Sequence, residues 1–311
     1  MRITRSASKT PLLGAVALGL AVALSACSAG AAPPTPPALS AADVDPAAAE
    51  ALPEKYREAG VIKVASDIPY PPFEMFDENQ QLTGLDYDLA QALGAKLGVP
   101  LELRIQAFDT IIPSLQSGRH DIIMSGMNDT AERQQTLDFV NYLYAGFSIL
   151  VPHGNPEGIT NVLDLCGKKV AVQKSTVQAQ ILRGYEQRCL DAGSTAIDIA
   201  ELPSETDVQT AVRSGKAAAD VVDSPVAAYG AKTAGDGAIF EIIRDPENPA
   251  GYNPVYTGIG VLKTDSGLSD ALLKALEAII ADGTYDQILD KYDLADYAVE
   301  RAGLNQGADL S

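Results

Sequence analysis

Four short stretches of the chain gather side chains that could grip a small charged molecule. The first is Ser125-Gly126-Met127-Asn128-Asp129-Thr130-Ala131-Glu132-Arg133, directly after the apolar run Asp121-Ile122-Ile123-Met124. Asp129 with Glu132 three residues on fits a capping box, so the spacing predicts a helix starting here. The N–H groups and dipole of a helix start favour an anion. Arg133 in the first turn opposes that dipole, and a bidentate grip on a carboxylate would account for its presence. A surface Arg133 paired with Glu132 accounts for it equally well.

The second stretch is Gln173-Lys174-Ser175-Thr176-Val177-Gln178, where Ser175 and Gln178 fit another capping box. The N–H groups of Thr176 and Val177 could complete a carboxylate site from the opposite side, although an ordinary helix start reads the same way. In the third, Asp220-Val221-Val222-Asp223-Ser224-Pro225, an acid ends a buried strand and a proline opens a helix. Asp223 could pair with an ammonium, or simply cap the helix. The fourth is Asp67-Ile68-Pro69-Tyr70-Pro71-Pro72-Phe73-Glu74 with Gly84-Leu85-Asp86-Tyr87-Asp88 and Phe108. Its prolines stiffen a loop that holds aromatics. Tyr70 and Phe108 could sandwich a side chain, Asp67 or Asp86 could meet a polar or cationic tip, and Phe73 reads as core.

The elements that must position these groups alternate. Val61–Ala65, Leu101–Ile105 and Asp121–Met124 read as strands, with helices over Tyr87–Leu97 and Thr110–Ser117. Gly98 and Gly118 close those helices. The rhythm restarts with strands at Lys169–Val172, Asp198–Leu202 and Ala219–Val222, and helices at Val177–Arg188 and Asp207–Ser214. Two such units predict two α/β lobes with mainly parallel sheets and a ligand cleft at the carboxyl ends of their strands.

The ends and the composition narrow the class. Arg2, Arg5 and Lys9 precede an apolar stretch, Leu12–Leu24, too short to span a membrane comfortably. This reads as a secretory leader over 1–26, and Leu24-Ser25-Ala26-Cys27 resembles a bacterial lipobox that would place a diacylglyceryl anchor on Cys27. The following Ala/Pro stretch reads as a tether, 27–57. With Cys27 lipidated, Cys166 and Cys189 remain as an even pair in an oxidising compartment, and a disulfide between them is expected. A net charge of -18 opposes nucleic-acid binding. Only two His occur, His120 and His153, and no metal-binding or nucleophile motif is present, so no metal, cofactor or catalytic set is expected.

Together these segments resemble the family 3 extracellular solute-binding proteins, the amino-acid-capturing partners of ABC importers. The likeness covers about Val61 to Tyr292 and includes "VASDIPYPPFEMFDENQQLTGLDYDLAQALGAKLGV", "FDTIIPSLQSGRHDIIMSGMNDTAERQQTLDFVNYLYAG", "LCGKKVAVQKSTVQAQ", "RSGKAAADVVDSPVAAY" and "IADGTYDQILDKY". The resemblance implies a two-lobed periplasmic-binding-protein fold of type II. Residues 58–149 with 256–300 would form lobe 1, 150–255 lobe 2, and 301–311 a C-terminal tail, with two crossovers as hinge. It implies that Arg133 grips an α-carboxylate with N–H groups near Asn128 and Val177. Asp223 would bind the α-ammonium near the carbonyl of Gly126, while Asp67, Tyr70, Asp86 and Phe108 shape the side-chain pocket. Ser125, Ser175 and Thr176 belong to the same set. Asn128 stands where Ser or Thr is usual, Asp129 where an aliphatic residue is common, Ser175 for Gly and Val177 for Thr. The expected ligand is an amino acid with a polar or cationic side chain. The expected partners are permease subunits and, through the lipid anchor, the membrane, with the protein itself a monomer. The same fold resembles cyclohexadienyl and arogenate dehydratases, for which Glu74 or Asp129 would be the acid. A receptor for a separate membrane sensor is the third reading.

Overall fold

Strand β1 (Ile62–Ser66) lies between β4 (Leu101–Ile105) and β5 (Ile122–Ile123), parallel to both. A computed structural model describes residues 43–307, so the leader and Cys27 lie outside the described residues. Helix α3 (Leu85–Leu97) crosses between β1 and β4 because Leu85, Leu89, Leu93 and Leu97 recur every fourth residue and are all buried. Gly98, at φ +70°, ends it by returning its N–H to Ala95 and Gly94. A small hairpin, β2 (Met75–Phe76) with β3 (Leu82–Thr83), precedes α3, and α4 (Ile111–Gln116) leads to β5. Each buried leucine of this kind contributes about 1.5–3 kcal/mol.

The second half repeats the plan. β7 (Lys169–Gln173) lies between β8 (Asp198–Leu202) and β9 (Ala219–Asp223), again parallel to both. Helices α5 (Val177–Gly184), α6 (Glu186–Asp191), α7 (Glu205–Arg213) and α8 (Ser224–Thr233) connect and cover these strands. The helix expected over Val177–Arg188 is thus two short ones meeting at Tyr185.

Long strands join the halves. β6 (Leu137–Pro152) runs antiparallel to β11 (Tyr252–Leu262), then continues along β9 and β10 (Phe240–Ile243). The order β4-β1-β5-β11-β6-β9-β7-β8 is therefore one continuous sheet rather than two separate ones, and β6 and β11 are the crossovers. Beside this junction Gly146 donates its N–H to Ala250 O at 2.7 Å. A Cβ on Gly146 would sit 2.3 Å from Tyr252 O, and one on Gly251, at φ +107°, 2.2 Å from Ser224 Oγ. Only glycine permits this approach.

Helices α9 (Ser266–Ala281) and α10 (Thr284–Lys291) return to cover the first half. Two ends expected to be free are folded onto it. Within the stretch read as tether, α1 (Pro46–Ala51) packs on α9, burying Ala48 and Leu52, and α2 (Glu54–Ala59) follows. Asp45 caps α1 through Ala48 N–H at 2.9 Å with Pro46 at the first position, a start signal that the low-bulk composition concealed. Beyond residue 300, β12 (Gly303–Leu304) pairs with Asn141 and Val140 of β6. Among the described residues no helix is long and apolar enough to cross a membrane.

Cys166 and Cys189 form the expected disulfide, 23 residues apart in sequence with Cα atoms 5.4 Å apart. It ties the entry of β7 to α6. Replacing both cysteines by serine is expected to lower stability by about 2–4 kcal/mol through the freed loop entropy. Thermal unfolding checks this, with a fall of roughly 5–10 °C expected. An unchanged midpoint would contradict it.

Candidate functional site

Each wall of the site follows from a strand ending at the same edge. β1 ends in Ser66 and hands the chain to Asp67, whose N–H donates to Ser125 Oγ at 2.9 Å. The proline-stiffened loop then places Tyr70 in a stacked contact with Phe73, centroids 5.7 Å apart. Phe73 is core, as its pattern predicted. After β5 the chain turns through Gly126 at φ +54°, where a Cβ would press on the Tyr70 ring at 3.0 Å. That contact and the positive φ together require glycine.

No capped α-helix follows. Arg133–Gln135 form a single 3₁₀ turn, and Thr130 Oγ1, not Asp129, accepts from Arg133 N–H at 3.2 Å. Asp129 is instead buried, where it accepts from Asn141 at 2.9 Å, Gln134 at 2.7 Å and Gly307 N–H at 2.8 Å. The folded C-terminal segment claims the side chain that the spacing assigned to a cap.

The second wall comes from β7 and β9. Ser175 takes φ +66° and Thr176 becomes the N-cap residue of α5 without a side-chain cap; its hydroxyl donates to Gln173 O at 2.7 Å. The expected Ser175–Gln178 capping box is absent because Gln178 turns inward to Asp223, 3.1 Å away. Asp223 precedes α8 but makes no capping bond. Its carboxylate accepts from Tyr70 OH at 2.7 Å, Asn128 Nδ2 at 3.2 Å and Gln178 Nε2 at 3.1 Å.

Arg133 is half-buried and bridges the walls, donating to Asn128 O at 2.8 Å and Ser175 O at 3.1 Å, with Phe108's ring 5.5 Å from its guanidinium. Gln173 donates to Asp67 across the same gap, and Lys174 pairs with Asp109 at 2.9 Å. Burial pushes the Asp223 and Asp67 carboxyls up, opposed by their donors, and lowers Arg133 to about 10. Arg133 therefore stays cationic at neutral pH, and Asp223 is the acid facing it.

The space enclosed is about 10 Å³ and is lined by Asp67, Tyr70, Phe108, Ser125, Gly126, Asn128, Gln173, Thr176, Gln178 and Asp223. Gln173 was not singled out from sequence and Gln178 only as half of a capping box; for Gln173 its place at the end of β7 was the available signal. Four expected residues do not line it. Arg133 and Ser175 stand at its edge, and Val177 has its side chain buried in the second half. Asp86 is buried behind Gly126, accepting that residue's N–H at 2.9 Å and Tyr142 OH at 2.6 Å, so it is not placed to meet a ligand tip. Chemically the arrangement offers a cation and a carboxylate at separated points, aromatic walls, and a second carboxylate held by an amide. Among the described residues no cluster of His, Cys, Asp and Glu suits a metal.

A strand-end cleft between two α/β halves joined by paired crossovers is the architecture of a protein that encloses a small ligand. The chain belongs to the bacterial extracellular solute-binding proteins, family 3, whose model matches residues 62–295. Among its relatives is the arginine-binding protein ArgT of Corynebacterium glutamicum, 29% identical over 82% of this chain and 81% of that one. The histidine-binding periplasmic protein of Salmonella typhimurium is 30% identical over 79% of this chain and 90% of its own. A solved structure of the ancestral amino acid-binding protein AncCDT-1, described as a precursor of cyclohexadienyl dehydratase, superposes with TM-score 0.67 at 35% identity, covering 77% and 98% of the two chains. The fold is thus the type II periplasmic-binding-protein fold expected from the sequence.

Proposed function

We propose that this protein captures a basic amino acid, with L-arginine the leading candidate, and presents it to the permease of an ABC importer. The observation that carries the reading is Arg133 at the edge of one small cleft whose lining includes the Asp223 carboxylate. A zwitterion needs a cation for its carboxylate and an acid for its ammonium, both desolvated and both hydrogen-bonded. Arg133, with main-chain N–H groups at Thr176 and Val177, serves the first; Asp223 serves the second. Tyr70 and Phe108 flank the side chain, and Asp67 with Gln173 meets a cationic tip. The names of the arginine- and histidine-binding relatives support that choice of side chain.

An enclosed space near 10 Å³ is on the scale of a single water, so the amino acid enters as residues 150–255 swing away from 58–149 and 256–300. The ligand then replaces the Tyr70, Asn128 and Gln178 bonds on Asp223 in part, and the walls reclose on it. Glu74 and Asp129, the acids available for a dehydratase, are buried and engaged by Ser125 and by Asn141, Gln134 and Gly307 respectively, which supports capture over turnover. The leader and Cys27 support a lipid-anchored, extracytoplasmic protein; a fatty-acid label carried by the wild type and lost in Cys27→Ser would support the anchor, and an unlabelled wild type would oppose it.

A thermal-shift panel of the common amino acids tests the main reading. A true ligand at 100 times its Kd stabilises by about 2.7 kcal/mol. Arginine and lysine are expected to give the largest shifts. A panel without any responder, checked by calorimetry, would overturn amino-acid capture.

A further inference from the structure

Behind the binding loop lies a carboxyl pair that neither wall uses. Glu74 and Asp86 are fully buried behind the Ser125–Gly126 turn, close enough to perturb each other's charge. Three donors reach them: Ser125 Oγ to Glu74 Oε1 at 2.7 Å, Tyr142 OH to Asp86 Oδ1 at 2.6 Å, and Gly126 N–H to Asp86 Oδ2 at 2.9 Å. Among the described residues, no ion pair reaches either acid. The titratable groups that face the pair are Asp67 after β1 and Tyr142 on β6, and neither is a cation. Two ionised carboxylates here would be two uncompensated charges in an apolar interior. Glu74 Oε2, moreover, has no donor of its own. One proton on that oxygen, donated to the Asp86 carboxylate, removes a charge and supplies the missing bond.

We propose that Glu74 and Asp86 share a single proton and act as one unit that positions the Ser125–Gly126 turn and Asp67, making Glu74 a positioning residue for ligand capture. The hydrogen bonds form an ordered chain. Glu74 O–H donates to Asp86, Ser125 O–H donates to Glu74, and Asp67 N–H donates to Ser125. Asp86 meanwhile fixes the N–H of Gly126, which the Tyr70 ring packs against. Loss of the proton sets two like charges together at the root of this chain and loosens its far end, which is the cleft.

Burial raises the Glu74 carboxyl well above its ordinary value and Asp86 to about 6. An acid raised on folding contributes stability that is fully present below its unfolded pKa and is lost as pH rises through its folded pKa. The folded protein should therefore lose stability from about pH 4.5 upward. Glu205 and Asp220 form a second buried pair with the same sign, which a change at Glu74 leaves in place.

Glu74→Gln keeps an acceptor for Ser125 and a donor for Asp86 at every pH, whereas Glu74→Ala keeps neither. Stability between pH 5 and pH 9 is expected to fall less steeply in Glu74→Gln than in the wild type, by up to about tenfold in the unfolding constant per pH unit over the pair's window. The infrared band of a protonated carboxylic acid at pH 8 should be weaker in Glu74→Gln by one group. With L-arginine as probe, Glu74→Ala should lose about tenfold or more in affinity and Glu74→Gln should restore most of it. This last arm rests on the proposed function; the stability and infrared arms need no ligand, so failure of L-arginine to bind the wild type leaves them decisive. A Glu74→Gln variant with the wild-type pH slope and an unchanged carboxylic band would overturn the shared proton. One no better than Glu74→Ala with L-arginine would overturn the positioning role.

Discussion

Asp223→Asn is expected to weaken L-arginine binding by about a hundredfold to a thousandfold, while the unliganded protein keeps its melting temperature or gains a little. The magnitude follows from removing one partner of a desolvated charge pair, which costs about 2–5 kcal/mol at interfaces. The direction of the stability effect follows from the same burial. Asp223 is nearly inaccessible, with only 6% of its surface exposed, and desolvation pushes its carboxyl up. Folding is therefore working against its charge, and only the ligand's ammonium gives that charge full value. Asparagine can keep its oxygen toward Asn128 and Gln178, which share Oδ1, and turn its NH2 to the Tyr70 hydroxyl, which can accept, so the unliganded network survives. Titration calorimetry with matched thermal scans separates the two quantities. An affinity within threefold of the wild type would remove Asp223 from the ammonium site.

Arg133 carries the second large effect. Arg133→Ala should cost about a hundredfold in affinity, and Arg133→Lys should recover only part of it. Lysine keeps the charge but not the planar fork that can hold Asn128 O, Ser175 O and a carboxylate in one plane. Because burial lowers this guanidinium only to about 10, affinity should not lose the Arg133 contribution anywhere between pH 5 and pH 8. A binding curve unaffected by Arg133→Ala would assign the carboxylate to backbone N–H groups alone.

Much of this layout was legible in the residues. The alternation of β1, α3, β4, α4 and β5 and its recurrence from β7 to β9 are written in four-residue leucine spacing, short β-branched runs and closing glycines. The cleft residues Asp67, Tyr70, Asn128 and Asp223 were visible because acids, amides and aromatics after buried strands have few structural duties. The failures share a cause, which is competition from distant partners. Asp129 looked like a cap until the chain beyond residue 300 supplied Gly307. Asp86 looked available until Gly126 and Tyr142 took its lone pairs. Gln178 looked like half of a capping box, and a carboxylate 45 residues away claimed it. Local spacing sees what a side chain could do nearby, and a buried polar atom answers to whatever the fold brings within 3 Å.

Gly146 and Gly251 give the molecule its mechanical character. At these two positions backbone meets backbone, Gly146 against Tyr252 O and Gly251 against Phe147 O, with no Cβ between them. A paired ribbon bends readily across its thin direction and resists shear within its plane, because in-plane sliding breaks the ladder between β6 and β11. On that physics the halves would have one soft coordinate. Under the proposed capture, each closing stroke would return Arg133 and Asp223 to the same alignment, so an incoming ligand would spend little of its binding energy searching for register. A methyl group at Gly146 would act as a shim, changing the rest angle of the jaw without touching any residue in the cleft.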